Sequence, residues 1–316
     1  MSRSPWIAGA RAVLADALQV YGKLLKVLVP ALLVVKVLQS VGAVDLLGRL
    51  LSPAMGLVGL PDMLGVVWAA TLLTNLFTGL AVFFEVAAHT TLSVEQITVL
   101  GTLMLIGHSL PVEGAVARRA GVPWSMTIAL RVGGALVLAA LLHAVYGGLD
   151  LMQAPARIGW RPAPPGDSLA DWAVAQLWTL AVIFVIILAL VVLMKLLRRI
   201  GLERWIHRAL TPLLRVLGIG PAAANVTVVG VTLGLSYGAG LLIRDMDRGV
   251  MSRRDSFLAL CFLGLAHSLI EDTLLILALG ADLNGILWAR LLFAVVVVAV
   301  LARWVAWRDP GHATGG

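Results

Sequence analysis

Two short motifs place ionisable side chains inside otherwise apolar runs: His108-Ser109-Leu110-Pro111-Val112-Glu113 and His267-Ser268-Leu269-Ile270-Glu271-Asp272. Imidazole and carboxylate groups are costly in an apolar phase, so by default they mark a functional site there. Two imidazoles with two or three carboxylates supply the donors to bind a divalent cation, or to relay protons as a site charges and discharges. The plainer role is that each His pairs with its neighbouring acid and pins helix packing. On a regular helix His267 and Glu271 share a face, whereas His108 and Glu113, five positions apart, do not. Pro111 removes a backbone donor between the latter two and is expected to kink or unwind the helix, swinging Glu113 round and freeing a carbonyl. In register, Glu113 corresponds to Asp272. A symmetric site therefore uses His108, Glu113, His267 and Asp272, which are also the metal-ligand candidates, with Ser109 and Ser268 beside them and Glu271 as an addition of the second motif.

Arg131 and Arg290 follow these acids by 18 residues. They are expected to neutralise Glu113 and Asp272 or hold an anionic substrate group, or else to snorkel to the interface near Trp124 and Trp288. Two further runs are unusually polar and glycine-broken: Thr71, Thr74, Asn75, Thr78 and Gly79, and Asn225, Thr227, Thr232, Ser236, Tyr237, Gly238 and Gly240. Such residues supply hydrogen-bonding groups in transporter sites or permit close helix packing. Asn75 is the strongest single candidate among them. Glu85 and His89, at the end of the first of these runs, read as a gate or as interfacial groups.

The elements that must position these residues are membrane helices. Of 316 residues, 60% are hydrophobic and 13% charged, and the mean hydropathy is +0.97, which excludes a soluble globular domain. At roughly 20 apolar residues per crossing, spans are expected near 24–41, 63–86, 96–117, 124–147, 172–194, 222–243, 256–279 and 284–307. Amphipathic stretches 44–58 and 202–217 read as interfacial helices, and residues 1–23 as an amphipathic lead-in rather than a cleaved signal peptide. The polar segment around Ala163-Pro164-Pro165-Gly166-Asp167 reads as a linker. The expected fold class is thus an all-α polytopic membrane protein of about eight helices, some broken or re-entrant.

The chain also repeats itself. Val41-Gly42 matches Ile200-Gly201, Ser52-Pro53 matches Thr211-Pro212, the two His-Ser-Leu motifs match, Ala120-Gly121 matches Leu279-Gly280, and Arg131 matches Arg290, all 159 positions apart. Apolar helices align with anything, but that does not explain a constant offset held by His, Pro and Arg. Two homologous halves follow; transporters built this way carry their site at the repeat interface. The charges leave parallel and inverted repeats open. Lys195, Arg198, Arg199, Arg204, Arg208 and Arg215 mark one loop as cytoplasmic, while Arg244, Arg248, Arg253 and Arg254 mark the next as positive too.

The net charge of +7 sits in such interspan clusters, a topology signal and not a nucleic-acid surface. There is no phosphate loop, Gly-x-Ser-x-Gly or His-Glu-x-x-His motif, so neither an enzyme nor a cofactor is expected. The single cysteine, Cys261, excludes an intramolecular disulfide framework.

The stretch from Thr74-Asn75 to Phe84, the Ser93-Val94-Glu95-Gln96 lead into Gly107-His108-Ser109-Leu110-Pro111-Val112-Glu113, and the counterpart ending Ala266-His267-Ser268-Leu269-Ile270-Glu271-Asp272 resemble the nucleoside-recognition, or Gate, domain family. That family includes concentrative nucleoside transporters, the membrane part of ferrous iron transporter B proteins, and spore maturation proteins A and B. The resemblance implies Gate-like repeats over 24–147 and 172–308, joined by a linker over 148–171 and followed by a polar tail over 309–316. It implies a multi-pass inner-membrane protein moving a small polar solute, nucleoside-like, or an ion. The competing expectations are a non-transporting structural or regulatory subunit and a divalent-metal transporter. The expected partners are the lipid bilayer and a small polar solute or cation, with room for a homo-oligomer or a membrane-protein companion.

Overall fold

A computed structural model describes residues 5–87, 90–158, 168–233, 241–245 and 247–308. The described chain is all-α, apart from one isolated bridge between Ser93 and Pro155. Helix α1 (Pro5–Ser40) merges the expected lead-in and first span into one rod. At 1.5 Å per residue its 36 residues reach about 54 Å, well beyond a hydrocarbon core of about 30 Å. The lead-in is therefore not a separate element: nothing between it and the first span interrupts helical hydrogen bonding, and even Pro30 is accommodated inside the helix. Helices α2 (Ala43–Leu57) and α10 (Leu202–Val216) occupy the two amphipathic stretches.

The expected second span is cut into α3 (Leu64–Leu73) and α4 (Leu76–Val86) at Thr74–Asn75. The third is cut into α5 (Val94–Gly107) and α6 (Leu110–Arg119) at His108–Ser109. The fourth comprises α7 (Trp124–Ile128), a π-turn (Ala129–Gly133) and α8 (Gly134–Gly148). In the second half come α9 (Leu169–Arg199), α10 and α11 (Pro221–Leu233), then α12 (Arg253–Ala266) and α13 (Glu271–Leu277), separated at residues 267–270. A second π-turn (Asn284–Ala289) runs into α14 (Arg290–Arg308). Among the described residues, six helical stretches are long and apolar enough to cross a membrane, rather than eight: 63–86 is two short helices, and only the α11 part and the 241–243 end of 222–243 are described.

The offset of 159 recurs in the backbone. Left-handed φ angles fall at Gly42 and Gly201 (70° and 76°), Gly59 and Gly218 (68° and 75°), Ser109 and Ser268 (52° and 46°), and Gly121 and Gly280 (92° and 90°). Four turns that L-residues seldom adopt thus repeat in register, two of them on serines. The halves share one apolar core running from Val35 to Tyr146 and from Leu210 to Ala302. Their contact is backbone-close: a Cβ on Gly101 of α5 would lie 2.3 Å from Ile276 Cγ2 of α13, and one on Gly285 2.4 Å from Thr98 Cγ2. The first part of the linker is not free chain. Met152 and Ala154 accept from the N–H groups of Glu95 and Val94 at the start of α5 (2.9 and 3.0 Å), which supplies partners for two of that helix's orphan donors. Residues 159–167 and 309–316 of the expected linker and tail lie outside the described residues.

Outward faces carry large apolar side chains, among them Val34, Val37, Leu177, Val185, Leu292, Val296 and Val300. On a soluble protein such faces would be a liability; on helices of bilayer length they are the lipid-facing surface.

Candidate functional site

The two broken helices meet at their breaks. His108 caps the C-terminus of α5 and His267 that of α12, both in extended conformation, and each is followed by a serine in the left-handed region. Such a serine costs on the order of 1–3 kcal/mol and persists only where the surroundings over-determine it. For Ser109 the surroundings are the end of α3: its N–H donates to Thr71 O (3.1 Å) and its hydroxyl to Thr74 O (2.7 Å). In the second half Leu269 N–H donates to Val231 O of α11 (2.9 Å). Each interrupted helix is thus stitched to the helix before it through backbone groups that regular helices would have kept for themselves.

These breaks turn the histidines toward each other. His108 Nε2 and His267 Nε2 are 3.0 Å apart, with ring centroids 4.8 Å apart. The other ring nitrogens face backbone carbonyls one turn back, His108 Nδ1 at 3.1 Å from Met104 O and His267 Nδ1 at 2.7 Å from Leu263 O. A carbonyl only accepts, so both Nδ1 atoms carry the hydrogen, and in neutral rings both Nε2 atoms present lone pairs. Glu113 Oε1 lies 3.3 Å from His267 Nε2 and 3.6 Å from His108 Nε2, and Asp272 Oδ2 lies 3.7 Å from His108 Nε2. Each acid therefore reaches the histidine of the opposite half.

Arg131 and Arg290 are 1% and 0% exposed, so neither snorkels. The reason is the π-turns: Arg131 lies within one and Arg290 directly after the other, and the extra residue per turn rotates each guanidinium inward. There they hold the carbonyls at the helix ends. Arg131 donates to His108 O and to Gly264 O (3.2 Å) of the other half; Arg290 donates to Leu265 O (2.8 Å) and His267 O (2.9 Å). This is favourable for cations at helix C-termini. Arg131 Nη1 also makes a close ion pair with Glu113 Oε2 at 2.6 Å, though not aligned as a hydrogen bond. Among the described residues, Asp272 Oδ2 and Arg290 Nη1 are buried without a hydrogen-bond partner. A cavity of about 10 Å³, lined by Glu113, Arg131 and Cys261 among others, adjoins the cluster and has room for about one water.

The structure thus brings His108, His267, Glu113 and Asp272 together, with Arg131 on Glu113, Arg290 on the carbonyls of Leu265 and His267, and Ser109 and Ser268 at the two breaks, and it gives Glu271, Asn75 and Asn225 other places. Glu271 sits in the first turn of α13, and because the backbone is interrupted at 267–270 the regular four-residue relation to His267 does not exist. Asn75 is the N-cap of α4, its Oδ1 accepting from Thr78 N (3.0 Å). Asn225 Oδ1 accepts from His207 Nε2 at 2.9 Å, and with Thr232 it lines a separate cavity of about 380 Å³ beside α10. Thr227 and Thr232 return their hydroxyls to carbonyls four residues back. Glu85 accepts from Trp172 Nε1 (3.0 Å) and Gln176 Nε2 (2.5 Å) of α9, binding the halves together. His89, Ser236, Tyr237, Gly238 and Gly240 lie outside the described residues.

One polar cluster is invisible to the motif pattern. Glu95, at the start of α5, pairs with His143 of α8 (Oε1 to Nδ1, 2.6 Å) and accepts from Gln153 Nε2 (2.8 Å). The three come from separate elements, and Glu95 has no counterpart acid 159 positions on, so only its place in an apolar helix could have singled it out.

Residues 180–282 match the Gate family model, described as nucleoside recognition. Over 301 residues the chain is 30% identical to the uncharacterized membrane protein YvoD of Bacillus subtilis (strain 168), covering 93% of this chain and 95% of that one. No solved structure matches.

Proposed function

Because the chain belongs to the nucleoside-recognition (Gate) family of multi-pass membrane proteins, we propose that it is a secondary transporter of the cell's inner membrane, moving a small polar solute or ion through the junction of its two halves. One observation carries this: two helices of opposite halves are interrupted at the same relative position, and the interruptions bring two imidazoles into buried contact with an acid of the opposite half beside each. Irregular backbone and ionisable side chains at membrane depth are retained where a pathway needs them. The cavity beside Glu113 admits a water, not a nucleoside, so this conformation suits an ion or an occluded state. No catalytic step and no cofactor enters this reading, and the bilayer and the cargo are its partners.

A second reading has its own support. The arginines spend themselves on helix-end carbonyls, as would suit a non-transporting structural or regulatory subunit with a locked core. The two separate by accessibility: purified protein in proteoliposomes, probed with a membrane-impermeant imidazole-reactive reagent from either side, protects His108 and His267 from both sides in a locked subunit. Alternating access exposes them from each side in turn, and solute counterflow then accompanies it.

A further inference from the structure

Two lone pairs held 3.0 Å apart repel unless a positive charge sits between or beside them. The rings cannot escape by changing tautomer, because each Nδ1–H is engaged by Met104 O or Leu263 O. Two carboxylate oxygens flank the pair: Glu113 Oε1, 3.3 Å from His267 Nε2 and with its sister oxygen held by Arg131, and Asp272 Oδ2, 3.7 Å from His108 Nε2 and buried without a hydrogen-bond partner. A proton shared by the imidazoles would satisfy the nitrogens and leave that oxygen unanswered.

We propose that His108 Nε2, His267 Nε2, Glu113 Oε1 and Asp272 Oδ2 form a binding site for one divalent first-row transition ion, such as Zn²⁺, at the junction of the halves. The ligand atoms of His108, Glu113 and His267 already lie within 4.8 Å of one another. Bonds of about 2.0–2.1 Å in tetrahedral geometry require the two nitrogens to open only to about 3.3 Å. Imidazole with carboxylate suits Zn²⁺, Fe²⁺ or Mn²⁺ better than Mg²⁺ or Ca²⁺, which prefer all-oxygen shells. The surroundings are those of ligating groups: each His donates its second N–H to a backbone carbonyl, and Glu113 is fixed by Arg131. The C-terminal ends of α5 and α12 lie at the site, where their dipoles favour a cation and their last carbonyls accept from the two arginines.

As the identity of the cargo this rests on the transporter reading; as a binding site it does not. The full chain, purified in detergent and stripped with a chelator, is titrated with Co²⁺ and then with Zn²⁺. One Co²⁺ per chain is expected, with the strong visible absorption of a tetrahedral centre, bleached by Zn²⁺ and abolished in His108→Ala and His267→Ala. Asp272→Asn, which removes no hydrogen bond and keeps the side chain's shape, should weaken Co²⁺ binding tenfold or more in protein whose unfolding midpoint shows it to be folded. Absence of uptake by the folded parent, or uptake unchanged in Asp272→Asn and both His variants, overturns the site. Radiolabelled Zn²⁺ flux into proteoliposomes keeps the two readings apart: stoichiometric binding without flux supports the site and counts against transport, while counterflow of another solute without metal binding counts against the site and leaves transport standing.

Discussion

Arg131 donates to the backbone of both halves at once, to His108 O of its own and to Gly264 O of the other, while its Nη1 pairs with Glu113. A single guanidinium thereby ties the end of α5, a turn of α12 and the acid of the candidate site together. Removing it leaves Glu113 buried with its charge uncompensated, so Arg131→Met should cost about 3–5 kcal/mol. Adding Glu113→Gln should restore much of that. Unfolding in detergent measures it, and a double variant no more stable than Arg131→Met alone would show that the ion pair is not the source.

The histidine pair should behave as one unit. With Zn²⁺ bound, His108→Ala and His267→Ala are each expected to cost about 1–3 kcal/mol and the double variant less than the sum, with a coupling of about 0.5–3 kcal/mol; in the chelator-stripped protein the facing lone pairs repel and the double variant costs more than the sum. Additivity to within about 0.5 kcal/mol in the same unfolding assay would mean that the 3.0 Å contact carries no energy.

Close approach of the halves rests on Gly101, whose added Cβ would meet Ile276 Cγ2 at 2.3 Å. Gly101→Leu should destabilise by about 1–3 kcal/mol through overpacking, and Ile276→Ala in the same chain should recover part of it by making room. If Ile276→Ala only deepens the loss, the two side chains do not share that space.

Asn75 should matter for folding and not for binding at the histidines. Its amide oxygen caps α4, so Asn75→Ala is expected to cost about 1 kcal/mol and Asn75→Asp a fraction of that. Thermal unfolding tests the cost, and Co²⁺ affinity should stay within twofold of the parent. A larger fall in affinity would put Asn75 back in the site.

By itself the sequence determined the class of protein and the position of its polar groups along the chain. Apolar composition leaves only membrane helices to bury so much surface, and rare His, Pro and Arg residues at a fixed offset expose the duplication that the backbone turns at Gly42 and Gly201 repeat. Local patterning reaches about one helical turn, and within that reach Thr74-Asn75 and Pro111 did signal interrupted helices. What lies beyond a turn was decided by tertiary structure. Whether His267 faces Glu271 or His108 depends on the backbone giving way at Ser268, which in turn depends on Leu269 finding Val231 on another helix. The inward turn of Arg131 and Arg290 depends on π-turns that no residue type announces, and the pairing of Glu95 with His143 depends on α5 packing on α8. In each case the partner that satisfies a buried polar group is distant in sequence, and the cost of leaving it unsatisfied in an apolar core, which selects the partner, exists only once the helices are packed.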